Sequence, residues 1–321
     1  MTSLIQPVPP GRPSFLDMPR LERLDQLEAD VAILSVPYGV PYDMEGSRFA
    51  SAPAPWTIRE QSLWFRRYLS HYDVDFGGDL FAGRDVRIVD CGEVTMQPGQ
   101  YLENMRRTTE VVRAILRRGA IPIILGGDHA VPIPVLRAYE DFGPIFVVQI
   151  DAHLDWRDEV NGVREGLSSP MRRASEMSWV CGIAQIGLRG VGSGRQQEFD
   201  DARAYGSILI TAREVHERGV MAALGRIPVA ERYYVTFDAD GLDPAIAPGV
   251  NAPAPGGLTY YQAFDLLRGL AERGRIVGFD FVEVAPARDP VGITSLHAAR
   301  LILNLIGALA HTGQVGQPRA G

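Results

Sequence analysis

Short apolar runs, each closed by polar or glycine-rich residues, alternate along this chain with segments whose apolar positions recur every three or four residues. The runs at Ala29–Pro37, Val86–Cys91, Ile121–Leu125, Pro144–Ile150, Gly182–Gly187, Ser207–Ile210, Arg232–Phe237 and Ile276–Val284 predict strands, being short, continuously apolar and rich in β-branched residues. Between them Thr57–Leu69, Tyr101–Arg118, Val131–Tyr139, Arg195–Tyr205, His216–Gly225 and Thr259–Arg273 read as helices, and Ser295–Ala310 as a closing helix that is apolar nearly all round. Strands without polar alternation, interleaved with helices, predict the α/β class, with a parallel sheet covered on both faces. The segments Asp155–Arg173 and Gly241–Gly257 read as long loops at strand ends, the usual place for function in such folds. No repeat, low-complexity tract or linker interrupts the pattern. The expectation is one domain over residues 1–321, with the proline-rich residues 1–20 as an extended arm over the surface or a neighbouring subunit.

Composition narrows the chemistry. All 32 basic residues are arginine, so Schiff-base catalysis, pyridoxal-phosphate attachment and a phosphate-binding loop lysine are excluded. A net charge of −7 leaves no basic excess to neutralise nucleic-acid phosphates. Two cysteines, Cys91 and Cys181, are too few for a disulfide framework and suit a reducing, cytoplasmic home. The N-terminus, with Pro7, Pro9, Pro10 and Pro13, does not read as a signal peptide, and no apolar run reaches the roughly 20 residues of a membrane span.

Three clusters carry the candidate chemistry: Gly126-Gly127-Asp128-His129, Asp151-Ala152-His153-Leu154-Asp155 and Asp238-Ala239-Asp240. Each directly follows a predicted strand, and in parallel sheets the carboxyl ends of strands converge on the ligand crevice. Alternate spacing along an extended chain places Asp151, His153 and Asp155 on one side, and likewise Asp238 and Asp240. Two imidazoles and four carboxylates are enough to hold two divalent cations side by side. The mixture of oxygen and imidazole donors suits Mn²⁺, Ni²⁺, Co²⁺ or Zn²⁺ better than Ca²⁺, and the absence of cysteine argues against a closed structural zinc site.

GGDHA, DAHLD, FDADGLDPAIAPG and FVEVAP, in this order, together with Gly46–Glu60, resemble the ureohydrolase family of arginases and agmatinases, the agmatinase branch more than arginase proper. The resemblance implies a three-layer α/β/α fold with a mainly parallel eight-stranded sheet, as in arginases and deacetylases. It implies two cations, Mn²⁺ or Ni²⁺, one held by His129, Asp151, Asp155 and Asp238, the other by Asp151, His153, Asp238 and Asp240. It further implies that a bridging hydroxide attacks a guanidino carbon, releasing urea and an amine. Asp155 would pass the proton to the leaving nitrogen, and Glu283 would grip the guanidinium.

The chain departs from the family at several points. Leu167, in Leu167–Ala174, stands where relatives carry a proton-shuttling histidine. Trp156 follows Asp155, and Val250-Asn251-Ala252-Pro253 replaces the usual T-G-T-P. With Trp156, Leu167 and Asn251 as pocket residues, the expected substrate is a compact guanidine: guanidine, an N-alkylguanidine or a biguanide. Trp156 reads equally well as packing beneath its loop. The missing histidine motivates a rival reading, a weakly active or non-catalytic subunit supporting an active paralogue; the complete set of six donors opposes it. A deacetylase-like hydrolase with a single zinc is a third. The family likeness also implies a homo-oligomer, trimer or hexamer, with a small guanidino substrate as its partner.

Overall fold

The computed structural model describes residues 4–37 and 50–318, so Gly46–Phe49 of the early segment that resembles the family lie outside the described residues. Nine strands form the central sheet: β1 Ile5–Gln6, β2 Val31–Val36, β3 Ile88–Val94, β4 Ile121–Gly126, β5 Ile145–Ile150, β6 Val180–Leu188, β7 Ile208–Thr211, β8 Arg232–Asp238 and β9 Arg275–Val282. Their spatial order is β1-β3-β2-β4-β9-β8-β5-β6-β7. Eight of them run parallel, as expected. The ninth, β1, pairs antiparallel with β3 through Ile5↔Val94 and Gln6↔Glu93. The described part of the proline-rich arm therefore extends the chain's own sheet, burying Ile5, Val8, Phe15 and Leu16.

Both faces of the sheet are covered. Within β2, Val31 and Ile33 belong to one core and Ala32 and Leu34 to the other, as the two-residue period of a strand requires. The first core is closed by α1 Ala54–Arg66, α6 Ala212–Arg218, α7 Val220–Arg226, α8 Tyr260–Arg273 and α9 Ile293–His311. The second is closed by α2 Tyr101–Arg117, α3 Pro132–Arg137, α4 Pro170–Ser175 and α5 Gln196–Tyr205. This is the three-layer α/β/α arrangement.

Two local differences from the sequence reading have clear causes. The single helix expected over His216–Gly225 is two, because Gly219 takes φ 82° between α6 and α7, a left-handed value that an L side chain resists. The stretch Pro290–His311 is, by length and composition, apolar enough to cross a membrane, yet most of it is buried in the first core, against α1 and α8. Its apolarity is that of a helix enclosed on nearly every side.

Candidate active site

The four central strands, in the order β4-β9-β8-β5, deliver the site. Their registers are level, with Leu125 opposite Phe281, Val282 opposite Asp238 and Phe237 opposite Ile150. The next residues therefore emerge together. His129 lies just past β4, Glu283 follows β9, Asp238 ends β8 and Asp151 follows β5. Gly187 lets β6 close in behind: at φ 105°, a Cβ there would meet the carbonyl oxygen of Asp151 at 2.8 Å.

His129 Nδ1 faces three carboxylate oxygens, Asp151 Oδ2 at 2.9 Å, Asp155 Oδ2 at 2.9 Å and Asp238 Oδ2 at 3.1 Å. His153 Nδ1 lies 3.1 Å from Asp240 Oδ2 and 3.5 Å from Asp151 Oδ1. The atoms of His129, Asp151 and Asp238 form one convergent donor group, and those of Asp151, His153 and Asp240 a second that shares Asp151. The sequence reading brought the three clusters together at converging strand ends and used strand alternation to align Asp151, His153 and Asp155, and Asp238 with Asp240. They do converge, but by another route. Residues 151–155 are irregular, Asp155 sits at φ 51°, and Asp240 lies in a short 3₁₀ turn, Ala239–Gly241.

The hydrogen bonds around His129 say what the cluster needs. Thr236 Oγ1 donates to Asp280 Oδ1 at 2.7 Å, so it can only accept from His129 Nε2, 3.0 Å away. That assigns one proton to Nε2 and leaves Nδ1 to take a second proton or a cation. Nδ1 is buried, without a hydrogen bond, among three anionic oxygens. Burial would depress this imidazole, but Asp155, Asp151 and Asp238 raise it well above its ordinary range, so a proton occupies Nδ1 in the metal-free protein. A donor set of imidazole and carboxylate suits a divalent transition ion in that proton's place.

Electrostatics point the same way. Burial, with the charges of Asp240 and Asp151 added, raises Asp238 well above the usual carboxylate range. Burial and then the charge of Asp151 push Asp155 up to about 7. Asp240 is raised by the same two causes. Burial alone would depress His153, but hydrogen bonds that it donates to Asp151 and Asp240 overcome it and lift the imidazole to about 12. The cluster holds more negative charge than its own side chains balance, since among the described residues no arginine pairs with any of these carboxylates.

Glu283, also buried, takes φ 63° and borders the same space. Its Oε1 accepts from the backbone N–H of His129 at 2.9 Å, and its Oε2 from Ser51 Oγ and Asn251 Nδ2, both at 3.1 Å. Asn251 Oδ1 is buried and unpartnered beside it. Two residues expected at the pocket are elsewhere. Trp156 is 2 % exposed and packs into the second core, its ring 5.7 Å from that of Tyr205. Leu167 is half-buried against the same core. The sequence reading missed Ser51, Thr236, Asp280 and Gln149. A buried polar residue within a run such as YYVTF or FVVQI was the available signal.

The arginase family profile matches residues 29–307. The chain belongs to the arginase family. This arginase-family chain is 36% identical over 309 residues to guanidinopropionase of Pseudomonas aeruginosa, covering 94% of each. It is 32% identical over 307 residues to guanidinobutyrase of the same organism, covering 93% of this chain and 92% of the relative. Among solved structures, a hypothetical agmatinase from Burkholderia thailandensis matches with a TM-score of 0.80 at 27% identity, over 94% of this chain and 91% of that one. Proclavaminate amidino hydrolase from Streptomyces clavuligerus matches at 0.79 and 28% identity, over 94% and 97%. The resemblance read from the motifs holds, and so does the fold it implied. The chain is a hydrolase of the arginase family, whose members act on guanidino C–N bonds with paired divalent cations.

Proposed function

We propose that this enzyme hydrolyses a guanidino acid to urea and an amino acid, with two divalent cations in the donor groups described above. The observation that carries the reading is His129 Nδ1, buried without a hydrogen bond among three carboxylate oxygens, in a donor group of imidazole and carboxylates that suits a divalent cation. His129, Asp151, Asp155 and Asp238 would hold one ion, and Asp151, His153, Asp238 and Asp240 the other. When bound, such a pair supplies a nucleophile from water at neutral pH and stabilises developing negative charge.

The remaining steps belong to the chain's own residues. Glu283 has three of its about four acceptor positions filled, all by neutral donors, so a cationic guanidinium competes for it on charge. Asn251 Oδ1, buried without a partner, offers a second acceptor to the same group. Among the described residues no hydrogen bond reaches Asp155 Oδ1, while Oδ2 is engaged by Gln149 and faces His129. Oδ1 is thus the oxygen that carries the proton to the departing amine, in a chain where leucine takes the histidine's place.

The leaving amine is the finer point. A compact guanidine was expected from Trp156 and Leu167 as pocket walls; Trp156 packs into the second core, and Leu167 lies half-buried against it. Arg288 is exposed, with Nη1 3.2 Å from the backbone oxygen of Asn251, and no carboxylate among the described residues pairs with it. A free cation one residue from the group that holds Glu283 favours a substrate with a guanidinium at one end and a carboxylate at the other. Relatives named guanidinopropionase and guanidinobutyrase fit that class. The supporting-subunit reading loses ground because all six donors are retained and convergent. Mn²⁺ is the ion proposed first, with Ni²⁺ as the alternative. A trimer or hexamer is proposed for the assembly, and a monomer mass by light scattering would contradict it.

The test is urea release from guanidinopropionate, guanidinobutyrate, agmatine, guanidine, dimethylguanidine and a biguanide, after reconstitution with Mn²⁺ or Ni²⁺. Guanidino acids should be turned over fastest, and Arg288→Ala should raise KM for them while leaving guanidine unaffected. A preference for guanidine or a biguanide would return the substrate to the compact class.

A further inference from the structure

Beneath the acid cluster lies a line of buried polar side chains in strands that are otherwise apolar. Gln149 on β5 and Gln185 on β6 are register neighbours, and neither has measurable exposure. Gln149 Nε2 donates to Asp151 Oδ2 at 2.6 Å and to Asp155 Oδ2 at 3.2 Å. Gln149 Oε1 accepts from Gln185 Nε2 at 2.6 Å, and that nitrogen also donates to the backbone oxygen of Leu154 at 2.6 Å. Gln185 Oε1 in turn accepts from Ser207 Oγ at 3.0 Å, at the start of β7.

The direction of this line is fixed by its end. Ionised carboxylates only accept, so Gln149 must turn its NH₂ toward them and its oxygen away. Gln185 must then present its own NH₂ to that oxygen, and Ser207 its hydroxyl to Gln185. Along the line each residue donates to the next one nearer the acids, and Gln185 spends a further N–H on Leu154. An amide buried in an apolar strand is costly unless it is satisfied, so side chains such as these are placed where their partners matter. The chemistry of the donor matters too. An arginine here would gather the two acids by neutralising them, in competition with a cation; a neutral amide gathers them and leaves their charge available.

We propose that Gln149, braced by Gln185 and Ser207, is a positioning residue that sets the spacing and aim of Asp151 and Asp155 toward the cation shared with His129. The inference rests on the two-cation reading above. Partners of metal-binding side chains typically contribute about 10–100-fold in metal affinity.

The experiment measures cation affinity by competition with a chelating dye, and melting of the metal-free protein, for the wild type, Gln149→Met, Gln149→His, Gln185→Met and the Gln149→Met/Gln185→Met double variant. Gln149→Met keeps the volume and removes both donors. It should weaken one cation by about 10–100-fold while the metal-free protein melts within a few degrees of wild type. Gln149→His restores one N–H and should recover part of the affinity. Gln185→Met should lose less, and add little to Gln149→Met, because it acts through that residue. Equal affinity in wild type and Gln149→Met, or losses that simply add, would overturn the proposal. A wild-type protein that takes up no cation would overturn the two-cation reading itself, and the two failures are thereby told apart.

Discussion

Two groups of buried charge sit in this molecule, and they are built differently. Between α1 and β3, Arg59 and Asp90 form an ion pair with neither side chain exposed. Arg59 Nε and Nη2 reach the two Asp90 oxygens at 2.8 and 2.7 Å, and its remaining donors go to Ser35 and the Gly92 carbonyl. Asp90 is completed by the backbone N–H groups of Phe15 and Gly92. Every site is filled from within the chain. At the ends of β4, β5 and β8, four aspartates meet two histidines, among the described residues no arginine reaches their carboxylates (Arg189 reaches Asp240 only at its backbone oxygen), and the buried Nδ1 of His129 has no hydrogen-bond partner. The first group balances itself and ties the N-terminal segment to the sheet. The second is balanced only by something the chain does not supply. Burial alone does not mark a functional site; an unbalanced buried charge does.

Removing one member from each group is the most direct way to break this comparison. Asp151→Asn takes an oxygen from both donor groups, so urea release should fall by more than about 100-fold, beyond the effect of a supporting residue. Although burial opposes it, the Asp151 carboxyl is held below its usual range by His129 and His153, so the folded metal-free protein should lose some stability, but far less than the function lost. Arg59→Met should do the reverse. It leaves Asp90 buried and unpaired at a cost of about 3–5 kcal/mol in denaturant unfolding, while the folded fraction keeps its cation affinity. If both variants lose only stability, the distinction fails.

Proton competition sharpens it further. In the metal-free protein, Asp155, at about 7, and His153, at about 12, hold protons that a cation must expel. Apparent cation affinity should therefore climb between pH 6 and 8, by about tenfold per unit for each proton released, with the Asp155 share levelling off above pH 7. Stability of the metal-free protein should move the opposite way. Asp155 has a folded pKa above its unfolded value of about 3.9, so its contribution is complete below that value and is lost as pH rises through about 7. A pH-independent dissociation constant would contradict this. The smallest effect concerns Trp156: Trp156→Phe should cost about 1–2 kcal/mol of stability with KM unchanged, whereas a shifted KM would return the residue to the pocket.

The sheet was legible because parallel strands buried on both faces leave continuous apolar runs, and the acid clusters because each follows such a run directly. Less could be read where side-chain direction depends on the third dimension. Strand alternation reached the right grouping of Asp151, His153 and Asp155 for the wrong reason, since Asp155 depends on a left-handed turn that no period announces. β1 was hidden because two residues of edge pairing carry no pattern of their own. Gln149, Gln185 and Thr236 were visible only as single polar letters in apolar runs, and their partners come from neighbouring strands far away in sequence.

The most direct test of the central claim is the number of Mn²⁺ or Ni²⁺ ions bound per chain after reconstitution and removal of excess metal, for wild type and Asp151→Asn side by side. Two ions per wild-type chain, with fewer in Asp151→Asn, is the predicted result. One ion or none in a folded wild-type protein would contradict it.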